Sequence, residues 1–111
     1  MASLSTWYHV SFDDDKIYRD VKPPNGEGWN DQLYWKDIIR VCFKIGEDLF
    51  DNDEFYIFTD KQEASYLIPT MADGGADLWG EIINRELFDA ELAIKLATGL
   101  EGLHCWPEGK L

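Results

Sequence analysis

The sequence predicts an α+β domain: a largely antiparallel sheet of five or six strands followed by two C-terminal helices. Three observations predict it. Apolar residues alternate with polar ones through the N-terminal two-thirds, the apolar period lengthens from two to about 3.6 near Gly75, and turn-forming clusters separate the alternating runs. At 111 residues, 45% of them apolar and including five Trp, five Tyr and six Phe, the chain has material for one core and reads as a single domain over residues 1–111.

In residues 7–12, Tyr8, Val10 and Phe12 fall on one side and Trp7, His9 and Ser11 on the other, the period of a half-buried strand. Asp13-Asp14-Asp15-Lys16 breaks that run and residues 17–21 resume it, which gives a hairpin with an acidic tip. Pro23-Pro24-Asn25-Gly26-Glu27-Gly28 is a loop, because its prolines fix φ and its glycines admit left-handed backbone. Residues 33–35 form a short strand, and Lys36-Asp37 shifts the phase before a longer amphipathic strand. On that strand Ile39, Val41, Phe43 and Ile45 share one face. Residues 47–54 are an acidic loop, residues 55–59 a strand rich in β-formers, residues 60–64 a polar turn, and residues 65–68 a strand stopped by Pro69.

From Gly75, the residues Leu78, Trp79, Ile82 and Ile83 recur at three and four, the stripe of an amphipathic helix that starts near Asp73 or Gly74. Asp89 is placed to cap a second helix, whose inward face is Leu92 and Leu96 and whose end is Gly99. Residues 103–107 are too apolar for a free terminus and are expected to pack back on the sheet. The expected core is Val10, Phe12, Ile39, Val41, Phe43, Ile57, Ile68, Leu78, Ile82, Leu92 and Leu96.

Charge narrows the function. With 22 Asp and Glu against 10 Lys and Arg, the net charge of −12 disfavours nucleic acid and anionic membranes as direct ligands, and makes a basic protein the complementary partner. The first twelve residues lack Lys and Arg, and the longest apolar uncharged stretch, residues 64–72, contains Pro69 and is far shorter than the roughly 20 residues a span requires. The expectation is therefore a cytoplasmic protein. Cys42 and Cys105 match no zinc or CxxC spacing, and Cys42, inside an apolar run, reads as a buried core thiol rather than a disulfide partner.

No pattern for chemistry emerges. His9 and His104 lack a local partner motif, Gly26-Glu27-Gly28 and Gly74-Gly75 fail as phosphate loops, and no cofactor is implied. Read as a calcium loop from Asp51, the acidic segment has Tyr56 at the sixth position and Gln62 at the twelfth, where Gly and Glu are required. The chain is expected not to be an enzyme and to hold no metal. What remains is docking: Glu47, Asp48, Asp51, Asp53 and Glu54 surround Leu49-Phe50, so Phe50 ringed by these acids is the candidate contact with a cationic partner.

The succession Trp35-Lys36-Asp37-Ile38-Ile39-Arg40-Val41, Phe55-Tyr56-Ile57-Phe58, Tyr66-Leu67-Ile68-Pro69, Leu78-Trp79 and Phe88-Asp89-Ala90-Glu91-Leu92 resembles short bacterial proteins of the immunity-protein type. The first half is similar to a bacterial pleckstrin-homology-like strand meander. The resemblance covers residues 7–98. It implies a small protein without catalysis that binds and blocks a partner, often a secreted toxin domain, and it assigns no role to individual positions. The phosphoinositide-binding branch of that meander carries basic residues at the first hairpin, whereas this tip is Asp13-Asp14-Asp15 with Lys16 and Arg19 nearby. The function expected is inhibition of a basic toxin or nuclease. The alternative is a general interaction or regulatory module, homo-oligomeric and using exposed aromatic surface, since five Trp exceed what a small core readily buries.

Overall fold

In the computed structural model the chain is described over residues 4–45, 53–97 and 103–106. It is α+β, as the change of period indicates, but its strands divide into two antiparallel sheets rather than one sheet of five or six strands. The first, sheet A, is a meander of β1 (Tyr8–Phe12), β2 (Lys16–Val21) and β3 (Trp29–Tyr34). The second, sheet B, contains β4 (Ile38–Lys44), β5 (Glu54–Thr59), β6 (Gln62–Pro69) and β7 (Leu103–Trp106) in the order β6-β5-β4-β7. Helices α1 (Gly75–Asn84) and α2 (Ala90–Ala97) precede β7, so a strand closes the fold after the helices.

The division occurs where the phase breaks. Trp35–Asp37 forms a single 3-10 turn, which takes the chain out of sheet A and starts β4 in sheet B. Immediately afterwards the β4–β5 register shifts between Ile38 and Arg40. That irregularity corrects one expectation about the core: Ile39 is 52% exposed, while Val41 and Phe43 are buried. A bulged residue leaves the alternation, so its apolar side chain no longer shares the face that its spacing suggests. Phe12 and Leu92 lie at the core margin, half-buried; Val10, Ile57, Ile68, Leu78, Ile82 and Leu96 are buried as expected. Three boundaries also move: the short strand expected at residues 33–35 is β3, which begins at Trp29 and ends at Tyr34, with Trp35 in the 3-10 turn. The polar turn is only Asp60-Lys61, and β6 runs from Gln62 through Pro69, which sits at the end of an edge strand where a missing N–H is tolerated.

One aromatic cluster joins sheet B to the helices. The Trp79 ring on α1 lies 4.7 Å from Phe43, 5.2 Å from Phe55 and 4.9 Å from Phe88, measured between ring centres, and ties β4, β5 and the α1–α2 connection together. Helix α1 enters through Gly74, whose φ of +83° is left-handed and where an added Cβ would stand 2.1 Å from the carbonyl oxygen of Val10. That close approach lets the chain before α1 bond to β1: the Val10 N–H donates to the Asp73 carbonyl at 2.8 Å, and the Asp73 N–H donates to the Tyr8 carbonyl at 2.9 Å. Asp89 caps α2 as its position suggests, its carboxylate accepting the Leu92 N–H. Gly99, the expected end of that helix, lies outside the described residues.

The C-terminal apolar segment does pack back: β7 pairs antiparallel with β4, Cys42 directly opposite Cys105. The two cysteines form a disulfide, correcting the expectation of a core thiol at Cys42. Among the described residues no helix is long and apolar enough to cross a membrane.

Candidate partner-binding surfaces

The acidic segment is the first surface to locate. Glu47, Asp48, Phe50 and Asp51 lie outside the described residues. The other two acids sit where β5 begins, and both are half-buried rather than fully presented. The Asp53 carbonyl accepts the Thr70 N–H at 3.0 Å and its hydroxyl at 3.1 Å, which ties the entry to β5 to the exit from β6. Glu54 accepts the Tyr56 hydroxyl at 2.6 Å, and the carboxylate holding that proton pushes the Tyr56 pKa up to about 12. Both acids thus support the root of the segment.

A second acidic feature is the β1–β2 tip. Asp13 makes the turn itself: its carboxylate accepts the N–H of Asp15 at 2.9 Å, the N–H of Lys16 at 2.8 Å and the Tyr18 hydroxyl at 2.7 Å. These bonds, that of Tyr18 foremost, hold Asp13 below the usual carboxylate range. Asp14 and Asp15 are exposed beside it. Along the outer face of sheet A, alternation brings Tyr18, Asp20, Asn30 and Gln32 together over an open trough of about 680 Å³, whose lining also includes Arg19 and Asp31.

On the inner face of sheet A, Arg19 is the centre of a network that the sequence does not single out. Its Nε and Nη2 donate to the two carboxylate oxygens of Asp31 at 2.8 and 2.5 Å, a bidentate pair across β2 and β3. Nη1 donates to the Leu67 carbonyl of β6 at 3.0 Å and to the Tyr8 hydroxyl at 3.3 Å. The Tyr8 hydroxyl itself donates to the same Leu67 carbonyl. The guanidinium lies over the rings of Trp29, 4.8 Å away, and Tyr66, 5.0 Å away. Burial is the main reason the Tyr8 phenol is held above its ordinary pKa, with Arg19 opposing that shift. Arg19 therefore joins the two sheets by hydrogen bonds and ring faces. The clue in the sequence is weak: a single Arg in an otherwise alternating strand, with no signal that Asp31 lies opposite.

Apolar surface forms a third feature. Ile39, displaced outward, and Trp106, 37% exposed, line a shallow groove of about 130 Å³ with Ile38, Arg40, Glu86 and Leu87. Of the five tryptophans, Trp29 and Trp106 are exposed, Trp35 is buried, and Trp7 and Trp79 are half-buried against the core.

The histidines are separated, His9 on β1 and His104 on β7. His9 Nδ1 lies 2.9 Å from an Asp73 carboxylate oxygen, and that hydrogen bond is the largest of the influences raising its pKa. The sign follows. A raised folded-state value means that the contribution of the pair is complete below the unfolded histidine value, about 6.5, and is lost as pH rises through the folded value. Asp73→Asn is expected to return the His9 titration toward its ordinary midpoint, as followed by the ring resonances in NMR. An unchanged midpoint would show that Asp73 does not set it.

Among the described residues, no three His, Cys, Asp or Glu side chains are grouped so as to hold a metal ion. Comparison with protein-family models, with curated proteins and with solved structures finds no match.

Proposed function

We propose that this protein is a non-catalytic inhibitor of the immunity-protein type, which captures a basic toxin or nuclease domain through acidic surface. The observation that carries the reading is the charge: −12 over 111 residues, with Asp14, Asp15, Asp20, Asp60, Asp77 and Glu91 all exposed. An inhibitor must meet its target before damage occurs, and a field of this sign raises encounter rates with a cationic surface by roughly 10- to 1000-fold. The acidic segment, with Glu47, Asp48, Asp51, Asp53, Glu54 and the anchor Phe50, is the proposed contact. The Thr70 and Tyr56 hydrogen bonds fix Asp53 and Glu54 at the head of β5.

The Cys42–Cys105 disulfide sits better with an oxidising compartment than with the cytoplasm expected from the sequence. The exposed Trp29 and Trp106 favour a second reading, an interaction module that uses aromatic surface.

The test is capture kinetics against a panel of cationic nuclease domains across a salt series. The wild-type association rate is expected to fall steeply with salt. Asp48→Lys with Asp51→Lys is expected to slow capture about tenfold at low ionic strength, with the difference shrinking beyond roughly 0.2 M salt. Asp14→Lys with Asp15→Lys changes net charge equally at another place and is expected to have the smaller effect. No binding by any domain, or rates indifferent to salt and to both double variants, would overturn the proposal.

A further inference from the structure

The chain's two cysteines are joined to each other, and the bond fastens the least embedded strand of the fold. Among the described residues β7 pairs with β4 alone and is the one strand with no buried residue. Leu103 and Trp106 are exposed, His104 and Cys105 half-buried, and none of the four joins the hydrophobic core, which is drawn from β1 to β6 and the two helices. Val41 and Phe43 of β4 point into that core, where Phe43 meets Trp79 of α1. Alternation therefore places Cys42, with Cys105 directly opposite, on the face of sheet B away from α1.

We propose that this bond is a redox switch: its reduction frees β7 from β4 while the rest of the fold stays assembled, and its re-formation docks the strand again. The reductant is a dithiol. Cys42 is buried and Cys105 only half-buried, so attack falls on the Cys105 sulfur. One thiolate of the dithiol forms a mixed disulfide there, and the Cys42 sulfur leaves and takes a proton. The second thiol then closes the dithiol's own disulfide, and the Cys105 sulfur leaves and takes the other proton, so two electrons pass to the protein.

With the bond broken, the short ladder to β4 is what holds β7 in place. Each of its residues gives up backbone freedom on docking, with no full burial to offset that cost. Release changes the surface in two ways. Trp106 leaves the groove that it lines with Ile38, Ile39, Arg40, Glu86 and Leu87, and β4 becomes an edge of sheet B with open backbone groups along residues 41–44. The oxidised protein thus presents the groove, and the reduced protein presents a bare strand edge in its place. The switch does not depend on the proposed toxin or nuclease partner and is measured without it.

Amide hydrogen exchange of the full chain, followed by NMR with the protein oxidised and then in dithiothreitol, tests it. Measured against Ile57 of β5 and Ile82 of α1, the β7 amides are expected to exchange about 100-fold faster once the bond is reduced. Cys42→Ala with Cys105→Ala is expected to reproduce the reduced pattern without reductant, and reoxidation of the wild type to restore the original one. Fluorine NMR of protein labelled with 5-fluorotryptophan gives a second reading: the Trp106 line, assigned by Trp106→Phe, is expected to shift on reduction while the Trp79 line stays. Protection in β7 that falls only in step with Ile57 and Ile82 would mean general loosening and would overturn the proposal. So would β7 amides and a Trp106 line indifferent to reduction.

Discussion

Replacing Cys42 and Cys105 by alanine, or reducing them, is expected to cost about 4 kcal/mol of stability, because the bond closes a loop across a sequence separation of 63. The strand it fastens is short. β7 contributes four residues to sheet B and pairs with β4 alone, and Leu103 and Trp106 at its ends are exposed, so little buried apolar surface adds to the ladder. In this setting the cross-link stabilises chiefly by restricting the unfolded chain. A loss of that size should lower the melting temperature by roughly 15–25 °C for a domain of this length. Denaturant unfolding of the oxidised, reduced and doubly substituted protein measures it directly. If all three agree within about 1 kcal/mol, the bond contributes little and β7 is held by its ladder.

The second large effect is expected at Arg19. Arg19→Met removes the bidentate pair to Asp31, a donor to the Leu67 carbonyl and two ring contacts, and it leaves a partly buried carboxylate without its cation. Breaking one side of a fully buried pair costs about 3–5 kcal/mol; with the Asp31 carboxylate partly open to water, the loss here is expected to be about 2–3 kcal/mol, part of it the penalty on the stranded charge. Removing both partners distinguishes the causes: Arg19→Met with Asp31→Leu should recover a large part of the loss. Tyr8→Phe, which deletes the hydroxyl's bond to the Leu67 carbonyl and the long bond it accepts from Arg19, should cost about 1–2 kcal/mol. A loss below about 1 kcal/mol for Arg19→Met would place the pair among ordinary surface salt bridges.

The sequence makes local features legible and distant ones obscure. The β1–β2 hairpin follows from alternation about Asp13, and the starts of α1 and α2 follow from Gly74 and Asp89, because each depends on neighbours within one turn. Ile39 misleads for the same reason: periodicity places it inward, and only the pairing of β4 with β5 introduces the shift that turns it out. The split into two sheets hangs on the 3-10 turn at Trp35–Asp37, which a spacing argument sees only as a break in phase. Pairings across the chain leave no local trace at all. Nothing near Cys42 announces Cys105, and nothing near Arg19 announces Leu67, since the β2–β3 connection and the path of β6 bring them together. Of the acidic candidate site, Asp53 and Glu54 emerge as supports at the head of β5, a role visible only once Thr70 and Tyr56 are seen beside them.

The return of β7 to β4 also orders the assembly of the fold in time. The meander β1-β2-β3 and the hairpin β5-β6 close short loops, and hairpins of that kind form in roughly 1–10 μs. Pairing Val41 with Trp106 requires closure over some sixty residues for only four rungs of ladder. The loop entropy of that step is repaid only when the rest of sheet B already presents β4 as a formed edge. In the reduced chain β7 therefore docks after the principal barrier, and its rungs slow unfolding more than they hasten folding. Once the sulfurs are joined, the same two strands are neighbours even in the unfolded ensemble, and the slowest contact to find becomes one of the first.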